Sequence, residues 1–185
     1  MNLNDLTVVI TSFKSEHKIF SCLNSIPKEI RVIVVENSAD INFKEKIEKS
    51  FPNVECFLSG ENKGYSVANN FGLSKISSKY GLILNPDTRL NKDTIETFLS
   101  TASHNPEFWL IGPAQDNRNI NKIDEVKEVK DLKGFALLFN IKKFKNNFFD
   151  ENFFLYFEEI DLCKKVKNEK GTIFLNNKIV VHHDG

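Results

Sequence analysis

Short runs of apolar, β-branched residues alternate with segments of helical periodicity along the first half of the chain. The runs are residues 7–11, 31–35, 54–58 and 80–84. After the first run, Ile19, Cys22 and Ile26 recur at helical spacing until Pro27 ends the pattern. The order β-α-β-α-β-α-β constrains the fold, because right-handed crossovers between parallel strands place helices on the faces of the sheet. We therefore expect an α/β fold with a mostly parallel central sheet flanked by helices.

The second half of the chain has a less regular pattern. Helices are predicted near 92–102 and 158–167, strands near 109–111, Ile173 and Val180, and an apolar segment at 135–139. The polar stretch 116–131 interrupts the apolar pattern and is predicted to be a loop. With 185 residues, the chain fits a single domain, 1–185, with one core.

Polar residues occupy the end of each of the four predicted strands. They are Thr11 and Ser12, Glu36 and Asn37, residues 60–64, and Asn85-Pro86-Asp87. Residues of these types are also what an ordinary turn contains. Because doubly wound sheets bind ligands at the carboxyl ends of their strands, one nucleotide-sized crevice could gather all four groups.

The turn after the first strand, residues 11–15, contains no glycine. A dinucleotide-binding site and a P-loop both need a glycine-rich turn there, so both are disfavoured. Without such a cradle, the charge of a pyrophosphate would have to be neutralised by a metal, and Asp87 at the tip of a strand is well placed to hold one. We expect Mg²⁺ or Mn²⁺, which bind one or two carboxylates together with phosphate oxygens and water.

Charge and cysteine content narrow the functional classes. The 25 basic and 25 acidic residues leave no net charge, so no nucleic-acid partner is expected. The cysteines Cys22, Cys56 and Cys163 are widely separated, which favours reduced thiols in a cytoplasmic protein. The basic runs 142–145 and 164–167 indicate solvated faces or, alternatively, a peripheral contact with anionic lipid headgroups at the inner face of the membrane.

Four blocks of the sequence resemble one enzyme family. They are Val-Val-Glu-Asn-Ser at 34–38, Glu-Asn-Lys-Gly-Tyr-Ser-Val-Ala-Asn-Asn-Phe-Gly at 61–72, Leu-Ile-Leu-Asn-Pro-Asp-Thr at 82–88, and Phe-Asp-Glu-Asn-Phe-Phe-Leu-Tyr-Phe-Glu-Glu-Ile-Asp-Leu-Cys at 149–163. In this order they are similar to the inverting family-two glycosyltransferases of the GT-A, Rossmann-like fold, especially the rhamnosyltransferase-like branch. One block alone is a weak signal, but the four together are specific.

The resemblance implies a site for a sugar donor that carries a nucleotide diphosphate. The predicted donor-binding residues are Thr11, Ser12, Glu36, Asn37, Asn62, Gly64, Asn69 and Asn85. Thr11 and Glu36 would lie against the nucleotide base and ribose. Asn62, Gly64 and Asn69 match the block that lines the donor pocket.

The resemblance also implies which residues hold the metal and take the proton. Asn85 and Asp87 match the family's variant of its Asp-x-Asp metal motif, in which Asp87 is the retained carboxylate. His182 matches a late histidine that joins the metal or the diphosphate, and His183 is the fallback for this role. Glu159 stands where the family usually has the aspartate that serves as catalytic base.

These acidic and histidine residues also have structural interpretations. Glu158, Glu159 and Asp161 are typical of the first turn of a helix, where acidic side chains complement the helix dipole. His182 and His183 could be ordinary exposed or hydrogen-bonded histidines.

The implied function is inverting transfer of a hexosyl or deoxyhexosyl group to the hydroxyl of a saccharide or lipid-linked saccharide, in surface polysaccharide or glycolipid synthesis. The half that binds the nucleotide sugar would span about 1–115, and the half with the acceptor site and base about 130–185. Two alternatives stay open: a catalytically silent nucleotide-sugar-binding or partner subunit of the same fold, and an unrelated nucleotide-binding α/β domain.

Overall fold

The fold is built on a central sheet that helices cover on both faces. The computed structural model describes residues 2–114, 126–145 and 148–184. The strands are β1 (Leu6–Ser12), β2 (Arg31–Glu36), β3 (Val54–Leu58), β4 (Tyr80–Leu84), β5 (Thr88–Leu90), β6 (Phe108–Pro113), β7 (Val126–Glu128), β8 (Ala136–Asn140), β9 (Thr172–Asn176) and β10 (Val181–His183). The α-helices are α1 (Glu16–Asn24), α2 (Ile41–Ser50), α3 (Gly64–Ser74), α4 (Thr94–His104), α5 (Ile141–Phe144) and α6 (Glu158–Asn168). In these ranges no helix has the length and apolar character needed to cross a membrane.

Strand pairing confirms the mostly parallel sheet. Its eight strands have the order β3-β2-β1-β4-β8-β6-β9-β7. β1, β2, β3 and β4 pair in parallel, as do β6 and β9, whereas β8 runs antiparallel to β4 and β6. β5 and β10 form a separate antiparallel ribbon in which His183 lies opposite Thr88 and His182 opposite Arg89. The ribbon brings residues 181–183 to the turn that follows β4.

Alternate side chains of the parallel strands enter two apolar layers. In β1, Val8 and Ile10 lie in the layer that contains Phe98 of α4, whereas Val9 lies in the layer that contains Leu73 of α3. The first layer is covered by α1, α2 and α4, and the second by α3, α5 and α6. Strands that are apolar on both faces are typical of a parallel sheet buried between helices.

Differences from the sequence prediction concentrate in short elements. Part of the polar stretch 116–131, predicted to be a loop, forms β7, which pairs antiparallel with β9; residues 116–125 of that stretch lie outside the described residues. The strand predicted near Val180 is β10, and it pairs with β5 rather than with the central sheet. β5 and α5 contain three and four residues, too few to produce a recognisable period.

Gly72 allows α3 to lie directly on β1, and its replacement by alanine tests this packing. A methyl group at Gly72 would come 2.5 Å from Cγ1 of Val9 and 3.3 Å from Cγ2 of Val35. Helix propensity alone would make Gly72→Ala stabilising by about 1 kcal/mol. We expect the variant instead to lower the free energy of unfolding by about 1–3 kcal/mol, because the close contact must open.

Urea denaturation measures this change. Ser74→Ala, at an exposed position of the same helix, is the control and should stay within about 0.5 kcal/mol of wild type. A Gly72→Ala variant as stable as wild type would contradict the packing described for α3.

Candidate functional site

β1, β2 and β4 end at the same edge of the sheet. Ser12 pairs with Glu36, and Ile10 pairs with Leu84, the last residue of β4. The polar residues that follow these strands, including Asp87, therefore lie at one edge, where doubly wound sheets bind ligands.

Two cavities are lined by some of the predicted site residues. The main cavity has a volume of about 620 Å³ and is lined by residues that include Asn85, Arg89, Glu158, Glu159, His182 and His183. The side cavity has a volume of about 680 Å³ and is lined by residues that include Lys14, Glu16, Phe20, Glu36, Asp40 and Phe43. Thr11 and Ser12 line neither of them.

Glu36 is a buried carboxyl group at the end of β2. Its residue is 4% exposed, and Oγ of Ser38 donates to its Oε1 at 2.8 Å. Burial raises the pKa of Glu36, and the hydrogen bond from Ser38 offsets part of the rise. On β1, Ser12 is fully buried opposite Glu36, and the buried Oγ1 of Thr11 finds no partner among the described residues.

Asn37 and Asn62 fix the turn that leads into α3. Nδ2 of Asn37 donates to Oδ1 of Asn62 at 2.9 Å and to the Gly64 carbonyl at 3.1 Å. Oδ1 of Asn37 accepts from the Lys63 N–H at 3.0 Å, and Oδ1 of Asn62 accepts from the Gly64 N–H at 3.1 Å. Both side chains therefore shape the backbone of this turn, and their part in donor binding stays a prediction.

The first turn of α3 contacts the walls of the main cavity. Gly64 has a φ of +82°, and a methyl group there would meet the Phe154 carbonyl oxygen at 2.5 Å. The Tyr65 N–H donates to that carbonyl at 2.7 Å, and the Tyr65 hydroxyl donates to the Gly134 carbonyl at 2.8 Å. Asn69 is fully buried and donates to the Tyr65 carbonyl at 3.0 Å. Gly64 and Asn69 thus contact Phe154 and Tyr65 but do not line the cavity themselves.

Asp87 contacts both α1 and the β5–β10 ribbon. Its Oδ2 accepts from Nζ of Lys18, on α1, at 3.4 Å, and its Oδ1 is 3.3 Å from Nε2 of His183. α1 contributes Glu16 and Phe20 to the side cavity, whereas His183 lines the main cavity. The Asn-Pro-Asp turn therefore places a carboxylate between α1 and the β5–β10 ribbon.

The β5–β10 ribbon places His183, rather than His182, beside Asp87. The His183 ring stacks on Phe135 with the ring centroids 4.8 Å apart and the planes 10° from parallel. Nε2 of His182 lies 2.9 Å from Oδ1 of Asn91. Both histidines line the main cavity, and the geometry favours the fallback residue, His183, as the partner of Asp87.

The groups around Asp87 suit a divalent ion that shares its coordination shell with a substrate. Across 2–114, 126–145 and 148–184, no group of three or more His, Cys, Asp or Glu side chains could hold a metal ion. Asp87 and His183 supply two donors, and the buried Oδ1 of Asn85 has no hydrogen-bond partner in the described chain. Mg²⁺ sites commonly use one or two carboxylates together with substrate phosphates. These residues fit a metal whose other ligands come from a diphosphate and water.

Glu158 and Glu159 begin α6 at the wall of the main cavity. Glu158 is buried, and burial, with a smaller contribution from the Glu159 charge, raises its pKa. Glu159 is partly exposed and lies against Gly134. The preceding residues, Tyr156 and Phe157, each have a φ of 70° and rings that are mostly exposed. Left-handed backbone at two aromatic residues costs about 1–3 kcal/mol each and is typical of functional sites.

Several lining residues of the main cavity were not among the predicted site residues. Tyr65 lies inside the block 61–72 that resembles the enzyme family, so the sequence did contain a signal for it. Arg89, Lys133 and Asp184 carry no local signal. The ion pair of Arg89 with Asp184, 2.8 Å between Nη2 and Oδ1, forms only because β5 meets β10.

Most of the chain matches a family of known proteins. Residues 7–163 match the family model described as Glycosyl transferase family 2. The chain is 26% identical over 200 residues to the low-salt glycan biosynthesis hexosyltransferase Agl10 of Haloferax volcanii, in an alignment that covers 92% of this chain. The chain spans 64% of the length of that relative.

Two solved structures share the fold. The mannosyltransferase PcManGT from Pyrobaculum calidifontis, in complex with GDP-Man and Mn²⁺, superposes with a TM-score of 0.80 at 13% identity. The superposition covers 96% of this chain and 56% of the PcManGT chain. S. aureus TarS 1–349 in complex with UDP superposes with a TM-score of 0.75 at 18% identity. The superposition covers 94% of this chain and 58% of the TarS chain. At these identities the likeness shows the fold alone.

We expect Glu158→Gln to stabilise the protein at neutral pH and to have little effect at acid pH. Because burial raises the pKa of Glu158, the folded state binds more protons than the unfolded state. Wild-type stability therefore falls as pH rises from the ordinary glutamate pKa through the raised one, whereas glutamine has no charge to gain.

Urea unfolding at about pH 3.5 and about pH 8 brackets that interval. The gain in stability should be seen at the higher pH only, and Glu169→Gln, at the exposed end of α6, should show no such difference. An equal change at both pH values would show that the Glu158 charge is not the cause.

Proposed function

The chain belongs to glycosyl transferase family 2, and from this membership we propose that it transfers a sugar from a nucleotide-diphosphate donor to a hydroxyl group with inversion. One observation carries the proposal: the main cavity is lined by Glu158 and Glu159 and also by Asn85 and His183, which contacts Asp87. Inverting transfer needs a base for the attacking hydroxyl and a group that stabilises the leaving diphosphate.

We assign the donor to both cavities. The nucleotide base and ribose would occupy the side cavity near Glu36 and Thr11, the diphosphate would cross at Asp87, and the sugar would enter the main cavity. When bound, a divalent ion held by Asp87 and His183 would stabilise the negative charge of the leaving diphosphate. The GDP-Man and Mn²⁺ complex of one neighbour and the UDP complex of another support this donor class.

Glu159 is the proposed catalytic base. It takes the proton of the acceptor hydroxyl as that oxygen forms a bond to the anomeric carbon. The bond from this carbon to the diphosphate oxygen breaks, and its electron pair leaves with the diphosphate. Attack from the face opposite the leaving group inverts the configuration. A glutamate in place of the family's usual aspartate reaches one methylene further into the cavity.

The acceptor is a saccharide or a lipid-linked saccharide in this proposal, and the product is a surface glycan. The name of the 26% identical relative, a hexosyltransferase of glycan biosynthesis, supports hexosyl or deoxyhexosyl transfer, and the rhamnosyl-type sequence blocks agree with it. The proposal includes a cytoplasmic enzyme that contacts the inner face of the membrane through its basic runs. In those runs Lys143 pairs with Glu107 and Lys167 with Glu128, so these two lysines already have partners.

Asp87→Ala tests the metal and diphosphate site. We expect metal-dependent donor binding to weaken by roughly tenfold or more, because the carboxylate at the crossing point is lost. The fold should remain intact, because the contacts of Asp87 with Lys18 and His183 are partly solvated and each contributes about 1 kcal/mol or less.

Isothermal titration with UDP-glucose and GDP-mannose, with and without Mn²⁺, measures the effect. Asp93→Ala, an exposed aspartate at the start of α4, is the matched control. Wild-type affinity and wild-type metal dependence in Asp87→Ala would exclude Asp87 as a ligand.

Glu159→Gln separates an enzyme from a binding module. Glutamine keeps the size and hydrogen-bonding capacity of the side chain but cannot accept the proton. Transfer should therefore fall by about 10²–10⁴-fold while donor affinity is retained.

The rate is measured as release of nucleoside diphosphate from the donor. Glu158→Gln should lose much less activity, and Glu169→Gln should match wild type. Unchanged turnover in Glu159→Gln would remove the base assignment, and equal losses in the two neighbouring variants would indicate a shared structural role. A wild type that binds donor without transfer would favour the silent-subunit alternative.

A further inference from the structure

Glu158 is a buried carboxyl group with an oxygen that lacks a partner. Its residue is 6% exposed. Among the residues with a described position, none donates a hydrogen bond to its Oε2. Buried polar atoms in folded proteins nearly always have a hydrogen-bond partner, and an unpaired buried carboxyl group is costly. The helix dipole does not explain this burial, because an exposed acidic side chain at the start of α6 would interact with the dipole equally well.

The unpaired carboxyl group lies at the wall of the main cavity. Glu158, Glu159 and Tyr65 line this cavity together. The Tyr65 hydroxyl donates a hydrogen bond to the Gly134 carbonyl at 2.8 Å, so it does not donate one to Glu158. Burial raises the pKa of Glu158, and a hydrogen bond from its own backbone N–H lowers it; burial has the larger effect. A molecule in the cavity would supply the donor that the described residues lack.

The surroundings of Glu158 select the chemistry of that molecule. The charge of Glu159 beside it disfavours an anionic group, and Lys133 in the lining of the same cavity disfavours a cation. Leu155 and Tyr156, which are mostly exposed, add apolar surface at the cavity. A neutral ligand with hydroxyl groups and apolar C–H faces satisfies both conditions. Sugars have this combination.

We propose that Glu158 is a substrate-binding residue that accepts a hydrogen bond from a sugar hydroxyl, while its neighbour Glu159 takes the proton of the attacking group. This inference rests on the proposed function and adds a specificity residue to it. The hydroxyl belongs either to the sugar of the donor or to the acceptor saccharide, and the two sources differ in what a change at Glu158 impairs.

Binding measurements with Glu158→Ala test the donor as the source. Isothermal titration gives the dissociation constants of UDP, UDP-glucose, GDP and GDP-mannose in the presence of Mn²⁺. If Glu158 binds the donor sugar, Glu158→Ala should weaken the affinity for the nucleotide sugars by roughly tenfold, the effect of one lost hydrogen bond. The affinities for UDP and GDP should stay unchanged. Glu158→Gln keeps a hydrogen-bond acceptor and should restore most of the affinity.

Steady-state kinetics test the acceptor as the source. With octyl glucoside and octyl galactoside as acceptors, Glu158→Ala should then raise the acceptor KM by roughly tenfold while donor affinity stays at the wild-type value. Glu169→Ala, at the other end of α6, is the control for both measurements. Removal of an unpaired buried carboxyl should not destabilise the fold, and thermal unfolding verifies this.

The proposal is overturned if Glu158→Ala leaves the affinity for every nucleotide sugar and the KM for both acceptors within twofold of wild type. A purely structural role would also be shown by equal losses for UDP and UDP-glucose, because UDP carries no sugar to bind. If wild type binds no nucleoside-diphosphate sugar in a panel that includes hexosyl and deoxyhexosyl donors, the proposed function itself fails, and the inference fails with it.

Discussion

Tyr65 joins parts of the chain that are far apart in sequence. Its backbone N–H donates to the Phe154 carbonyl at 2.7 Å and its hydroxyl to the Gly134 carbonyl at 2.8 Å. Its ring packs edge-on against Phe149, with the centroids 5.8 Å apart. α3 is in turn fixed to β1 through Gly72, so the sheet sets the position of the segment that leads to Glu158 and Glu159. Each of these hydrogen bonds contributes about 0.5–1.5 kcal/mol to stability.

The same arrangement gives the acidic residues of the site different surroundings. Asp87 keeps a lysine and a histidine as neighbours and remains partly solvated, which suits a carboxylate that binds a cation. Glu158 is buried and Glu159 is partly exposed, although they are adjacent in sequence. Neighbouring carboxyl groups in unlike environments can take different tasks, one in binding and one in proton transfer. The strained turn at Tyr156 and Phe157 directly precedes α6 and so sets the position of Glu158 and Glu159.

The sequence predicts the sheet and the strand-end residues well because both depend on local patterns. β-branched runs mark β1 to β4, and the polar residue at a strand end marks Asp87. The choice between His182 and His183 could not be predicted, since it depends on the register of the ribbon between β5 and β10. The contact of Tyr65 with Gly134 was equally hidden, because it joins residues 69 positions apart. The roles of Asn37 and Asn62 in shaping a turn became apparent only from their hydrogen bonds.

The central claim is that the edge of the sheet around Asp87 binds a sugar nucleotide through a divalent ion. A thermal-shift panel of nucleotide sugars, free nucleotides and dinucleotides, each with and without Mn²⁺, tests it most directly. The account predicts that a nucleoside-diphosphate sugar gives the largest rise in Tm and that Mn²⁺ is required for most of that rise. A dinucleotide or free nucleotide that stabilises the protein more, or a sugar nucleotide that acts equally without metal, would contradict it.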